Sequence, residues 1–299
     1  MSGLLPAGAW AGLSGACFAV LAVAYRYAGS SGCRPKEFAA VFLFTGMLVS
    51  APVAVFQQTV WADPRLWLVG AGMGVAVFSA IVLVAILNRL GPASVVWTVI
   101  NLSLFLTVLL ARLVYRERLL PVDGVVLVLF GAMVACLCRG TTGETTVASW
   151  KFWLLLILAY VLNGLFSFGM KVKQELLGSS SSAGLAAVFY GCGAVLSGAW
   201  VLAKGTRRLF PKEWTAGIFA GIFSAGGNIL FLASMTLPPV VAFPVAQGTS
   251  LVGGVALVSI VFKERLSPTK VVGWILGVCV LILALLREPC SRWMVSCFR

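Results

Sequence analysis

Long apolar runs follow one another along nearly the whole chain, separated by short breaks rich in charged residues, Gly, Pro and Ser. A helix that crosses roughly 30 Å of hydrocarbon needs about 20 mostly apolar residues. Ten runs approach that length: Ala7 to Tyr25, Phe38 to Gln57, Leu66 to Asn88, Pro92 to Tyr115, Val122 to Cys138, Lys151 to Met170, Ala183 to Lys204, Trp214 to Met235, Pro239 to Phe262 and Thr269 to Leu286. They are apolar all round and do not alternate with polar residues at a period of two, which predicts helices and not barrel strands. Trp61, Trp67, Trp150, Trp153 and Trp214 stand near run ends, where indole rings favour the membrane interface. The expected fold is all-α, a polytopic membrane protein with ten transmembrane helices. Composition agrees: 61% of the 299 residues are hydrophobic, 10% are charged, and the mean hydropathy is +1.03. Soluble domains sit at about 45–50% apolar and about 25% charged.

The runs also repeat. YRERLLP at Tyr115 to Pro121 returns as FKERLSP at Phe262 to Pro268, with Glu117 and Glu264 standing 147 positions apart. The same offset pairs Phe42 with Phe189, Gly46 with Gly193, Ser50 with Ser197, Pro64 with Pro211, Trp67 with Trp214, Gly70 with Gly217, Gly74 with Gly221, Pro92 with Pro239, and Ser103 with Ser250. The chain therefore reads as a duplicated five-span unit: residues 1–138 form the first repeat, 139–150 a linker (with RGTTGETTVAS at Arg139 to Ser149), 151–287 the second repeat and 288–299 a tail. Five is odd, so the second copy enters the membrane from the opposite face, and inverted repeats are characteristic of alternating-access transporters.

Each half closes with an apolar span, an E-R-L turn, a proline and a Gly-containing last span, most clearly in FKERLSPTKVVGWILGVCVLILALL. In this the chain resembles the EamA-type branch of the drug/metabolite transporter superfamily. The first copy departs at Asp123 and Gly124, where the second has Lys270 and Val271. The resemblance implies that spans five and ten stand at the periphery as supports or dimer contacts, which admits a homodimer. It also implies that both termini are cytoplasmic, although the basic residues lean slightly toward the loops opposite the termini and so toward the reverse orientation.

Charge and chemistry narrow the function. The net charge of +13 comes from Lys and Arg clustered between spans, where anionic lipid headgroups are the expected partner and nucleic acid is not. There is no histidine, and the eight cysteines lack ligand spacing, so no metal, cofactor or catalytic centre is expected. All nine acidic residues fall at or beyond span ends, and the first span has no glutamate of the kind that small proton-coupled cation exporters resembling this chain carry. Mid-depth polarity comes instead from the amides Asn101, Asn163, Asn228 and Gln247, which line a shared polar cavity or bond neighbouring helices.

Helical spacing puts Phe243, Gln247, Ser250 and Gly254 on one face of span nine, with Val96, Ile100, Ser103 and Thr107 as their first-copy equivalents. It likewise aligns Tyr160, Asn163, Ser167, Lys171 and Gln174 in span six, and Gly221, Ser224, Asn228 and Phe231 in span eight. The candidate substrate-binding set is Asn101, Ser103, Asn163, Ser167, Lys171, Ser224, Asn228, Phe243, Gln247 and Ser250. Arg112 and Lys171 are the deepest basic side chains and either meet an anionic group or snorkel. Pro244 offers freed carbonyls or a hinge. Glycines four apart, at Gly8 and Gly12, Gly70 and Gly74, and Gly217 and Gly221, let helices approach closely.

These features lead to the expectation of a cell-membrane permease that moves a small organic metabolite, such as an amino acid or sugar, by alternating access, with export or exchange favoured because no coupling group stands at mid-depth. The competing readings are a non-transporting scaffold or lipid-interacting protein, and a multidrug exporter.

Overall fold

The computed structural model describes residues 4–90, 93–116, 120–139, 150–178, 182–203, 209–263 and 268–286. Among the described residues the regular elements are all helices: α1 (Leu4–Ser30), α2 (Pro35–Phe56), α3 (Pro64–Leu90), α4 (Ala93–Leu102), α5 (Leu104–Tyr115), α6 (Pro121–Arg139), α7 (Trp150–Leu177), α8 (Ser182–Ala203), α9 (Pro211–Ser234), α10 (Pro239–Val261) and α11 (Pro268–Leu285). Seven of them, α1, α2, α3, α7, α8, α9 and α10, are long and apolar enough to cross a membrane, and Val99–Tyr115, Pro121–Cys136 and Val271–Ala284 are shorter apolar helical stretches. The protein is a multi-pass membrane protein. The fourth run is not one helix as expected, because it breaks at Ser103 between α4 and α5. The E-R-L turns, the tail and all of the linker between Arg139 and Trp150 lie outside the described residues.

Local chemistry explains the boundaries. α2, α3, α6, α9, α10 and α11 each start on a proline, whose missing N–H would have no partner in a first turn. The indole of Trp67 donates to the Trp61 carbonyl at 2.8 Å and fastens the turn before α3. The repeated motif stops its two helices in the same way, with Arg116 and Lys263 at φ 53° and 52°. The left-handed conformation costs a non-glycine residue roughly 1–2 kcal/mol.

α2 packs on α8 and α9, α3 on α7 and α8, α1 on α9 and α10, α5 on α7, α4 and α10 on α6, and α11 on α6 and α10. Glycines set the closest approaches. A Cβ on Gly70 would lie 2.5 Å from Val188, and one on Gly217 would lie 2.6 Å from Val41. A Cβ on Gly74 would meet the Phe189 carbonyl and Cys192, and one on Gly221 would meet the Phe42 carbonyl and Thr45. Gly46 faces the Tyr190 ring and Gly193 faces Leu43. In each of these pairs one contact becomes the other when both residues are shifted by 147.

The glycines of α1 behave differently from the expectation. A Cβ on Gly12 would meet nothing within 4 Å. The close approach falls at Gly15, where it would lie 2.5 Å from the Ala246 carbonyl of α10.

Candidate functional site

Among the described residues, polar side chains gather inside the helix bundle between α8 and α9 and around the break between α4 and α5. Between α8 and α9, the Tyr190 hydroxyl lies 2.6 Å from Ser224 Oγ. Asn228 Nδ2 donates to Tyr190 Oη at 2.9 Å and to the Ser224 carbonyl at 2.9 Å. With the amide donating into the phenol oxygen, the phenolic hydrogen is free for Ser224. All three residues are buried, so each hydrogen bond replaces water that the site excludes. The ring fits because Gly46 of α2 faces it without a side chain. Sequence reasoning found Ser224 and Asn228 but missed Tyr190. No sequence signal marks Tyr190, whose counterpart 147 positions earlier is Leu43.

The second group closes the break in the fourth run. Ser103 N bonds the Ile100 carbonyl at 3.1 Å in a tightened turn. Asn163 Nδ2 of α7 donates to Ser103 Oγ at 2.7 Å and to the same Ile100 carbonyl at 3.3 Å. Thr107 Oγ1 reaches the Gly164 carbonyl at 3.2 Å. An interrupted helix inside a membrane survives where neighbours satisfy the loosened backbone, and Asn163 does that here. Asn163 and Ser103 were expected from the sequence; Thr107 appeared there only as a face residue. Asn101 is half-buried and engaged with a partner.

On α10, Phe243 is buried edge-on against Phe231, with ring centroids 4.8 Å apart at 75°. Gln247 is half-buried, and its Oε1 is buried with no hydrogen-bond partner. Ser250 is half-buried, and Ser167 is buried in α7. Pro244 is buried inside an unbroken α10, so it neither splits nor ends that helix.

Lys171 is buried and paired with Glu175 at 2.7 Å, and its Nζ stands 6.0 Å from the centroid of the Tyr115 ring. Arg26 of α1 stands over the ring of Phe262 at 5.8 Å. Phe262 is the residue 147 positions after Tyr115, and Arg26 and Lys171 occupy comparable places near the ends of α1 and α7. Arg112 is exposed and engaged with a partner.

A larger cluster fastens one end of the bundle. Glu213, fully buried at the start of α9, accepts from Arg34 Nε at 2.7 Å, Arg34 Nη2 at 2.8 Å, the Arg34 backbone N–H at 3.2 Å and the Phe210 N–H at 2.9 Å. These hydrogen bonds push the Arg34 guanidinium further up from its ordinary value. Lys212 Nζ donates to the carbonyls of Ser31 at 2.9 Å and Gly32 at 3.1 Å. At the other end of α2 the Ala183 N–H donates to Gln57 Oε1 at 3.2 Å.

Residues 5–137 match the family model described as the EamA-like transporter family. No curated protein sequence matches the chain. A solved structure titled only "Crystal structure of protein" has the same fold, with a TM-score of 0.73 over 93% of this chain and 99% of its own and 18% sequence identity. Residues 5–137, a little under half of the chain, are thus similar to the EamA-type transporters of the drug/metabolite transporter superfamily.

Proposed function

We propose that the protein carries a small organic metabolite, an amino acid, a sugar or a solute of similar size, across the cell membrane by alternating access between two inverted halves of five spans each, residues 1–138 and 151–287. The observation that carries this reading is the reciprocity of the packing. Exchanging α1 with α7, α2 with α8, α3 with α9, α4 and α5 with α10, and α6 with α11 converts the principal helix contacts of one half into those of the other. The glycine contacts at Gly46, Gly70 and Gly74 convert into those at Gly193, Gly217 and Gly221. Reciprocal packing of two such halves supports a pseudo-two-fold axis, and a polar site between them can face either side in turn.

The substrate-binding groups in this reading are Asn101, Ser103, Asn163, Ser167, Lys171, Ser224, Asn228, Phe243, Gln247 and Ser250, with Tyr190 and Thr107 as positioning residues. Export or exchange without a coupling ion is favoured. Among the described residues the buried carboxylates are Glu37, Asp123 and Glu213, each in the first turn of its helix and remote from mid-depth. Both termini face the cytoplasm, and α6 and α11 stand as outer supports where a homodimer could form.

Two experiments test the proposal. Labelling of single cysteines in the loops must place equivalent loops of the two halves on opposite faces; equivalent loops on the same face would remove the inversion. Solute flux into proteoliposomes, screened over amino acids, sugars, nucleosides and organic acids, must fall in Asn228→Leu protein that still shows a cooperative melt. Flux of no solute would return the chain to the scaffold reading.

A further inference from the structure

Among the described residues two buried side-chain oxygens have no hydrogen-bond partner, Ser50 Oγ and Gln247 Oε1. The two are not alike. Ser197, 147 positions after Ser50, turns its hydroxyl onto the Ala194 carbonyl three residues back, at 3.1 Å, and Ser50 can make the same rotation within α2. An amide oxygen only accepts, and the N–H groups around it in the middle of α10 are spent on the helix. Gln247 Oε1 therefore bears its desolvation cost with no return from the fold.

Nor does the architecture require an amide at that place. The first-half counterpart of Gln247 is Ile100, which is buried in a closed apolar cluster with Leu87, Val96, Phe152, Leu156 and Ala159. An aliphatic side chain satisfies the equivalent position. The α10 backbone around Gln247 is closely packed, because α1 presses its Gly15 against it: a Cβ there would lie 2.5 Å from the Ala246 carbonyl and 2.6 Å from Thr249 Cβ. One turn before Gln247 stands Phe243, braced edge-on by Phe231. Phe243 and Gln247, four residues apart, share one face of α10.

We infer that Gln247 Oε1 accepts a hydrogen bond from the transported solute, and that this solute joins an uncharged N–H or O–H donor to a flat apolar body. The inference rests on the carrier reading and narrows its substrate class. The donor is uncharged because an ammonium group brought to Gln247 would be desolvated away from the buried carboxylates, which sit in first turns at the helix ends. The flat body follows from the position of Phe243 one turn from Gln247 on the same face of α10, since aromatic rings favour stacked or edge-on partners.

The test uses the full-length purified protein and four probes: benzamide and benzyl alcohol, which donate, and N,N-dimethylbenzamide and benzyl methyl ether, which do not. Affinities come from the probe dependence of the unfolding midpoint. The donating probes should bind about tenfold more tightly than their capped partners, the factor expected for one buried acceptor left unpaired. In Gln247→Leu that preference should vanish while the unliganded midpoint is no lower than in the native chain, and Gln247→Met, which keeps the side-chain length, should behave the same way. Equal binding of all four probes, binding of none, a preference that survives both substitutions, or a lower midpoint in both would each overturn the inference. Gln247-dependent binding without flux of any donor solute would sink the carrier reading, and with it the transport of that solute, while leaving Gln247 Oε1 as the acceptor for a bound donor. Flux indifferent to Gln247→Leu would do the reverse.

Discussion

Replacing Gly46 by alanine should disturb the Tyr190 site without touching any polar group. The added methyl would lie 2.5, 2.6 and 2.8 Å from three atoms of the Tyr190 ring, closer than carbon atoms pack. The ring is braced by Phe189 at a centroid distance of 4.4 Å and by Phe42 at 6.3 Å, so it cannot yield without moving its neighbours. Overpacking of this kind costs about 1–3 kcal/mol. A ring displaced by a few tenths of an ångström also weakens the bonds from Asn228 and to Ser224, each worth about 0.5–1.5 kcal/mol. Alanine returns about 1 kcal/mol over glycine inside a helix. The balance is a destabilisation of about 1–4 kcal/mol.

The reciprocal site supplies the control. A methyl on Gly193 would meet the two terminal carbons of Leu43 at 3.2 Å, and these can rotate away, so Gly193→Ala should be close to neutral. Thermal unfolding of the purified protein compares the two variants, and Tyr190→Leu serves as a second background. If the ring is the obstacle, the penalty of Gly46→Ala shrinks on that background, as coupling between contacting residues requires. An equal penalty with tyrosine and with leucine, or equal effects at Gly46 and Gly193, would refute the reasoning.

Further outcomes follow from the other contacts. Arg34→Ala leaves the buried Glu213 carboxylate with two backbone donors and no counter-charge, and should lower stability by about 1–3 kcal/mol in a denaturant titration. Glu213→Gln should cost less, because removing the charge removes the need for the guanidinium. Asn163→Leu removes the side-chain cover from the Ile100 carbonyl at the helix break and should cost about 1–3 kcal/mol; hydrogen exchange should rise around Ser103 first. In α1, Gly12→Ala should be neutral or stabilising by up to about 1 kcal/mol, since nothing lies within 4 Å of the new methyl. Gly15→Ala should destabilise, because Ala246 O stands 2.5 Å from it. Paired thermal melts settle the order.

Much of the helix pattern was legible because apolar runs of membrane length have few other outcomes, and the proline pairs mark where helices start. The break at Ser103 was not legible. Its counterpart, Ser250, lies inside a continuous helix, and what differs is the partner on α7: Asn163 reaches across to a carbonyl that the interrupted turn exposes. No pattern within one run reports which neighbour will complete its backbone. Spacing along α9 placed Ser224 and Asn228 on one face, yet it could not supply Tyr190 from α8, because that contact depends on Gly46 of a third helix. Gly12 misled for a related reason. A glycine four residues from another suggests a close approach, but the register of α1 against α10 assigns it to Gly15. Lys171 looked able to snorkel and is buried instead, since Glu175 and the Tyr115 ring receive it.

The charged fastening at the Arg34 end of α2 bears on how the proposed carrier opens. One end is tied by Arg34, Lys212 and Glu213, while at the other the Gln57 amide oxygen accepts from the Ala183 N–H. Parting the Arg34 end would expose a carboxylate and a guanidinium that must find water. Under the alternating-access proposal, that end opens only by separating this charged cluster from its partners.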